Sequence, residues 1–211
     1  MAARVLNVAI ASVALVLLSP VLLVLGLLVK LTSPGPIIYR QIRIGLNRRT
    51  NPSAPPRLYD RRSIDLGGAV FTMYKFRSMR ADAEKGTGAV WAKKGDARVT
   101  TLGRIMRKTR LDELPQLVNV LKGDMSIVGP RPERPSIFRQ LSRTIDRYEE
   151  RQLARPGITG WAQVNQNYDS CLADVENKVK LDLEYLQRQS VAEDLRIMLR
   201  TVPTILLRKG L

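Results

Sequence analysis

From Val5 to Val29 the chain runs for 25 residues without a charged side chain, almost all of them aliphatic, between Arg4 and Lys30. As a helix, that run extends roughly 37 Å, against a bilayer hydrocarbon core of about 30 Å. A secretory signal has a shorter apolar region and a small-residue cleavage site, and neither is evident in this run. The segment reads as a membrane element. Ser19-Pro20 interrupts it past its middle, and an interior proline removes a helical hydrogen bond and crowds the preceding turn. Two arrangements follow: a kinked helix that spans the bilayer, or a helix–break–helix that enters one leaflet and returns. Pattern alone does not separate them, because membrane helices tolerate proline. Arg40, Arg43, Arg48, Arg49, Arg57, Arg61 and Arg62 crowd the C-terminal side, which places the rest of the chain in the cytoplasm in either case.

The 211 residues suit one domain plus this appendage, divided as 1–32 in the membrane and 33–211 in the cytoplasm. A net charge of +16 demands an anionic partner: nucleic acid, an anionic membrane face or polyanionic small molecules. The chain has no histidine, which removes His-based triads, the common zinc sites and the usual proton shuttle at neutral pH. Carboxylates are left as the leading candidates for any chemistry. The single cysteine, Cys171, excludes an internal disulfide and reads as a buried thiol in a reducing compartment.

After the stiff turn Thr32-Ser33-Pro34-Gly35-Pro36, Ile37 to Ile44 reads as a short strand, and Val70 to Arg77 as a second one able to pair with it. Residues 45–68 form a loop rich in Arg, Asn, Pro and Gly, and 82–100, with Gly86, Gly88 and Gly95, form a mobile stretch. Leu102–Lys108 and Leu114–Leu121 read as helices. Ile137, Leu141, Ile145 and Tyr148 recur at helical spacing, as do Val175, Val179, Leu183 and Leu186. Residues 155–161 between them form a loop. The 193–208 segment mixes Leu and Ile with Arg196, Arg200 and Arg208, and suits either a helix lying on a membrane surface or one capping the domain core. The fold class is α+β, mostly helical with a small β-hairpin.

Chemistry concentrates in 104–132. Asp112 and Glu113 follow a cationic run (Arg104, Arg107, Lys108, Arg110) and precede Pro115, which fits the first turn of a helix. Acids at such a position also merely complement the helix dipole. Arg131 is held between Pro130 and Pro132, a rigid setting suited to bidentate phosphate contact. Lys75 and Arg77 fall on one face of the second strand, toward a substrate or simply toward solvent. Asp124 caps a turn after Gly123 or reaches a metal. Trp161 reads as packing.

Several segments carry a resemblance: Ser33-Pro34-Gly35-Pro36, Gln41 with Arg43-Ile44-Gly45, Lys75 to Met79, Arg107-Lys108-Thr109, Leu111 to Leu117, Lys122 to Pro132 and Pro156 to Asn165. Together with the Ser-Pro-interrupted N-terminus they closely resemble the bacterial sugar transferase family, the monotopic phosphoglycosyl transferases, over nearly the whole chain. Members transfer a sugar phosphate from a nucleotide diphosphate sugar to undecaprenyl phosphate, the first membrane step of surface glycan assembly. The resemblance implies a re-entrant N-terminal helix broken at Ser19 and Pro20, a catalytic domain on the cytoplasmic face of the bacterial inner membrane, and magnesium held by Asp112 and Glu113. It also implies a UDP-sugar donor, UMP as a product, and a phosphosugar intermediate on Asp112. The charge of such a substrate calls for cations, and Arg107, Arg131, Lys75 and Arg77 are the candidates to contact its phosphates. Self-association into a homo-oligomer is left open. Two departures stand out. Residues 46–68 are longer than the family's compact turn, and Gln166-Asn167-Tyr168 follow Asn165 where many members have Gly-Arg. A nucleic-acid-binding module would explain the charge but leaves the apolar N-terminus superfluous, and a plain membrane anchor leaves the Asp-Glu pair unexplained.

Overall fold

A computed structural model describes residues 2–47, 67–83, 85, 95–166 and 171–206. The basic insertion and most of the glycine-bearing 82–100 stretch, together with Asn167 and Tyr168, lie outside the described residues. The architecture is mostly helical, with two small two-stranded sheets.

Helix α1 runs from Ala2 to Thr32 as one helix, with Pro20 inside it. The helix therefore continues through Ser19-Pro20, where the sequence leads one to expect an interruption, and the reason lies in Ser19. Proline at 20 removes the N–H that would have bonded the Val16 carbonyl four residues back. The Ser19 hydroxyl donates to that same carbonyl at 2.8 Å. The orphaned acceptor is thus satisfied within the helix itself.

One stripe of α1 is buried: Asn7 and Ala11, then Leu25, Gly26 and Val29, with the partly buried Ala14, Leu15 and Leu22 between them on the same cores. The opposite face leaves Val5, Val13, Val16, Leu17, Leu23, Val24 and Leu27 exposed. The buried stripe packs on the domain at both ends. Arg4 donates to the Leu121 carbonyl at 2.8 Å, and Asn7 Oδ1 accepts from the Ile127 N–H at 2.5 Å. Ala11 joins a core with Met73, Leu117, Val120 and Met125, while Leu25 and Val29 join Phe76 and Met106.

Strands β1 (Ile38–Ile44) and β2 (Val70–Phe76) pair antiparallel, from Ile38 opposite Phe76 to Ile44 opposite Val70. After α2 (Thr101–Lys108), a 3₁₀ turn (Leu111–Glu113) precedes α3 (Gln116–Lys122). The fully buried Asn119 of α3 accepts from the Tyr74 N–H at 3.1 Å and donates to the Thr72 carbonyl at 2.7 Å, which pins α3 to the outer edge of β2. Gly123, at φ 85°, ends α3 in the left-handed conformation that glycine adopts without a Cβ penalty.

A second pair, not anticipated from sequence, is parallel: β3 (Ser126–Val128) with β4 (Gly157–Thr159), the latter inside what reads as a loop. A Cβ on Gly129 or Gly157 would strike the backbone of the neighbouring segment, so the two chains approach this closely only as glycine. The 137–148 periodicity resolves into α4 (Pro135–Thr144) and a 3₁₀ turn (Tyr148–Leu153). Then come α5 (Trp161–Asn165), α6 (Leu172–Arg188) and α7 (Val191–Leu206). Cys171 is exposed, not buried; as the N-cap of α6, its N–H is bonded by Asp174 at 3.1 Å.

Candidate active site

The dyad is placed by backbone strain. Arg110 adopts φ 55°, a left-handed conformation disfavoured for any side chain with a Cβ. The chain turns there out of the α2 direction, and Asp112 and Glu113 enter the 3₁₀ turn ahead of α3. They do not lie in the first turn of α3, and Pro115 is its N-cap residue, not its first helical one. Both carboxylates are buried, at 7% and 6% exposed.

The two acids have opposite surroundings. Glu113 Oε1 takes Lys75 Nζ at 3.0 Å and Arg131 Nη2 at 2.6 Å, and Oε2 takes Arg131 Nη1 at 3.4 Å. Burial works to raise its pKa, but Arg131 and Lys75 overcome that and hold it well below the ordinary value. Lys75 is shifted down, chiefly by burial, with Glu113 opposing. The Asp112 carboxylate has no hydrogen-bond partner among the described residues. Burial, reinforced by the adjacent Glu113 charge, raises its pKa against the pull of Lys75, Arg107 and Arg131. One acid is tied down and the other is left with its oxygens open.

Both face a cavity of about 750 Å³, within the usual range for small-molecule sites of about 300–1,000 Å³. Its described lining holds ten Lys and Arg side chains against three carboxylates, a site built for a polyanion. Arg107, expected at the site, lines it and makes no side-chain hydrogen bond or ion pair among the described residues. Gln163, Asn165 and Gln166 also line it, and Gln166 is fixed by its bond to the Asp174 carbonyl at 2.6 Å.

Arg77 does something other than expected. Its guanidinium donates to the carbonyls of Pro36 at 2.6 Å, Val29 at 3.1 Å and Ser33 at 2.6 Å, and to the Ser33 hydroxyl at 2.8 Å. The side chain is 4% exposed and caps the C-terminal end of α1, where carbonyls lack helical partners. It borders the cavity with its guanidinium bonded to the backbone at the end of α1. The strand alternation that pairs it with Lys75 ends at Phe76, one residue too early.

Asp124 belongs to a turn, with its carboxylate 3.3 Å from Asn119 Nδ2 and its N–H on the Asn119 carbonyl. Trp161 packs: its N–H bonds Glu184 at 3.0 Å, and Arg196 and Arg200 lie over its ring. Sequence reasoning missed Glu133, Lys178 and the cavity role of Arg43. Glu133 is held to a pKa of about 2: Lys178 and Arg43 outweigh the burial that would raise it. Burial lowers Arg43 to about 10. The signal for Arg43 is present in the strand pattern, since it alternates with Gln41, to which it is hydrogen-bonded.

A family model described as bacterial sugar transferase matches residues 1–208. Over 203 residues the chain is 40% identical to the UDP-N-acetylgalactosamine-undecaprenyl-phosphate N-acetylgalactosaminephosphotransferase of Aeromonas hydrophila, covering 96% of this chain and 43% of that protein. It is 41% identical over 205 residues to the UDP-glucose:undecaprenyl-phosphate glucose-1-phosphate transferase of Caulobacter vibrioides, covering 96% and 69%. A protein of the same description from Escherichia coli is 40% identical over 198 residues, covering 93% and 38%. The chain thus spans less than half the length of two of these relatives and about two thirds of the third.

Proposed function

This chain belongs to the bacterial sugar transferase family, and from that premise we propose that it moves a sugar 1-phosphate from a UDP-sugar to undecaprenyl phosphate, releasing UMP. The observation that carries the reading is the contrast within the dyad: a tethered Glu113 beside a buried Asp112 whose oxygens have no partner among the described residues, both in a strongly basic cavity. A carboxylate can attack a diphosphate only where the negative charge of the substrate is offset, and positioned cations do this.

Asp112 supplies the nucleophile. A carboxylate oxygen bonds to the β-phosphorus of the donor, the bond from that phosphorus to the bridging oxygen breaks, and UMP leaves with the electron pair. An oxygen of undecaprenyl phosphate then attacks the same phosphorus, the acyl-phosphate bond breaks, and the Asp112 carboxylate returns. Arg107, Arg131 and Lys75 offset phosphate charge. Glu113 holds Arg131 and Lys75 in place around the nucleophile.

Magnesium belongs to this proposal, and the residues fit it in a restricted way. Magnesium is commonly bound by one or two carboxylates plus substrate phosphates. Asp112 offers open oxygens and would hold the ion with the donor diphosphate, where it would neutralise charge. Glu113 joins only by yielding a contact to Lys75 or Arg131. The direct test is incubation with magnesium, undecaprenyl phosphate and a panel that includes UDP-glucose and UDP-N-acetylgalactosamine. UMP release with at least one donor is expected; release with none sinks the reading.

For Arg131→Lys, a point ammonium cannot reproduce a fork on carboxylate or phosphate. A loss of roughly ten- to a hundredfold in kcat/KM is expected, matching about 1.5–3 kcal/mol for a charge-assisted hydrogen bond. Arg107→Ala should fall in the same range. Arg104→Ala, exposed and outside the cavity lining, should change little. Equal losses in all three would point to general electrostatics instead of a local site.

For the membrane, we propose the re-entrant arrangement in a form that needs no interruption of the helix: both ends of α1 stay at one face of the bilayer, with the domain on the cytoplasmic side. Its support is that both ends of α1 dock on the domain, through Arg4 and Asn7 at one end and Leu25 and Val29 at the other. A helix that crossed the bilayer would carry one end roughly 30 Å from the domain and break those contacts. The outer apolar face is left to lipid. Tags at Met1 and at Leu211 should both react with a reagent confined to the cytoplasm. A periplasmic Met1 tag would establish a span instead.

A further inference from the structure

Arg131 sits on a segment that cannot anchor itself through its own amides at two of its first three positions, because Pro130 and Pro132 have no N–H. The carbonyls remain, and from Pro130 to Glu133 all four accept a hydrogen bond. Pro130 accepts from the Gly157 N–H at 3.0 Å, and Glu133 from the Ile44 N–H at 3.0 Å. The two between are held by guanidinium groups: Arg151 donates to the Arg131 carbonyl at 3.1 Å, and Arg43 to the Pro132 carbonyl at 2.9 Å. Arg151 is in turn bonded through Nε to Asp182 Oδ2 at 2.7 Å, with side chains 4% and 2% exposed.

Arg151 and Asp182 do not line the cavity. Stability alone does not account for them, since a buried ion pair is often matched or exceeded by apolar residues of similar volume. Their geometry leads elsewhere. A continuous path runs from Asp182 on α6 through Arg151 to the Arg131 backbone, and from the Arg131 side chain to Glu113 beside Asp112. We propose that Arg151 and Asp182 are positioning residues, which fix the Arg131 backbone so that its guanidinium forks onto Glu113 and stands over the nucleophile. The inference rests on the proposed reaction only for its kinetic readout.

The test replaces the pair by an apolar one, Arg151→Met with Asp182→Leu, in the full chain in detergent. Hydrogen exchange is measured at Ile44, Gly129 and Gly157 and over α6, alongside thermal unfolding. The amides of Gly129, Gly157 and Ile44, bonded to the carbonyls of Thr159, Pro130 and Glu133, should exchange faster, while α6 protection and Tm stay close to wild type. In kinetics the pair change should cost roughly ten- to a hundredfold in kcat/KM, the scale of a misplaced catalytic group. In an Arg131→Ala background the same change should cost far less, because the group being positioned is gone. Unchanged exchange at Gly129, Gly157 and Ile44, or equal kinetic losses in both backgrounds, overturns the proposal. Should the apolar pair not fold, Arg151→Lys takes its place: one ammonium cannot serve Asp182 and the Arg131 carbonyl in the guanidinium geometry. If wild-type protein releases no UMP from any donor, the reaction reading has failed, and the exchange data still decide the positioning role.

Discussion

Asp112→Asn is expected to lower turnover by about 10⁴-fold or more, the scale seen when a covalent nucleophile or its partner is removed. It should also abolish the stoichiometric UMP release that wild type gives with donor alone, before any acceptor is added. The amide keeps the volume and loses the attacking charge. Stability should move the other way. Burial, with the neighbouring Glu113 charge, raises the Asp112 pKa, so the folded state binds its proton more tightly than the unfolded chain. The stability this group contributes is present at low pH and is lost as pH rises from the ordinary carboxylate value through the raised one. At neutral pH the ionised acid is therefore a burden on the fold, and Asp112→Asn should unfold no lower than wild type. Activity needs the ionised form, so wild-type kcat/KM should rise with pH along a limb displaced above the ordinary range near 3.8. Near-normal turnover in Asp112→Asn, or a variant that is inactive because it is unfolded, would remove the case for this nucleophile.

What the sequence makes legible is what depends on local pattern. The β1–β2 hairpin, α2, α6 and α7 follow from strand content and helical spacing, and their observed limits differ from the expected ones by a few residues. The Asp112-Glu113 pair, Arg107, Arg131 and Lys75 do converge on one cavity. What escaped depends on conformation or on contacts far apart in the chain. No pattern announces the left-handed Arg110 that moves the dyad out of α3, since arginine is not favoured there. Strands β3 and β4 are three residues each, too short for a period-2 signal, and pair across about thirty residues of intervening chain. Arg77 looks like the twin of Lys75 until the strand ends between them and the carbonyls at the end of α1 claim it. The Arg151–Asp182 pair is separated by 31 positions and looks, in sequence, like any two charges on a basic chain.

Glu113→Gln carries the second-largest expected effect, and for this variant stability and activity should fall together. Glu113 is the counter-charge for Lys75, whose side chain is 16% exposed, and for Arg131, which is 30% exposed. Removing one member of a buried pair leaves the other uncompensated, typically at about 3–5 kcal/mol. Arg131 regains much of its hydration and adds little, so Lys75 dominates and the low end, about 3 kcal/mol, applies. For a chain of this size that lowers Tm by about 6–12 °C. Turnover should drop about 10²- to 10³-fold, as when a preorganised electrostatic group is lost, because Arg131 and Lys75 no longer have a common anchor beside the nucleophile. A second substitution separates the two consequences. Lys75→Met in the Glu113→Gln background removes the stranded cation, and Tm should recover most of its loss while activity stays low. Activity stays low partly because Lys75 itself is lost from the phosphates; were it to return with stability, neither Glu113 nor Lys75 would act on the substrate. Were Tm to stay low, the cost would lie outside the Lys75 pairing, and Glu113 would not be the counter-charge that keeps Lys75 buried beside the nucleophile.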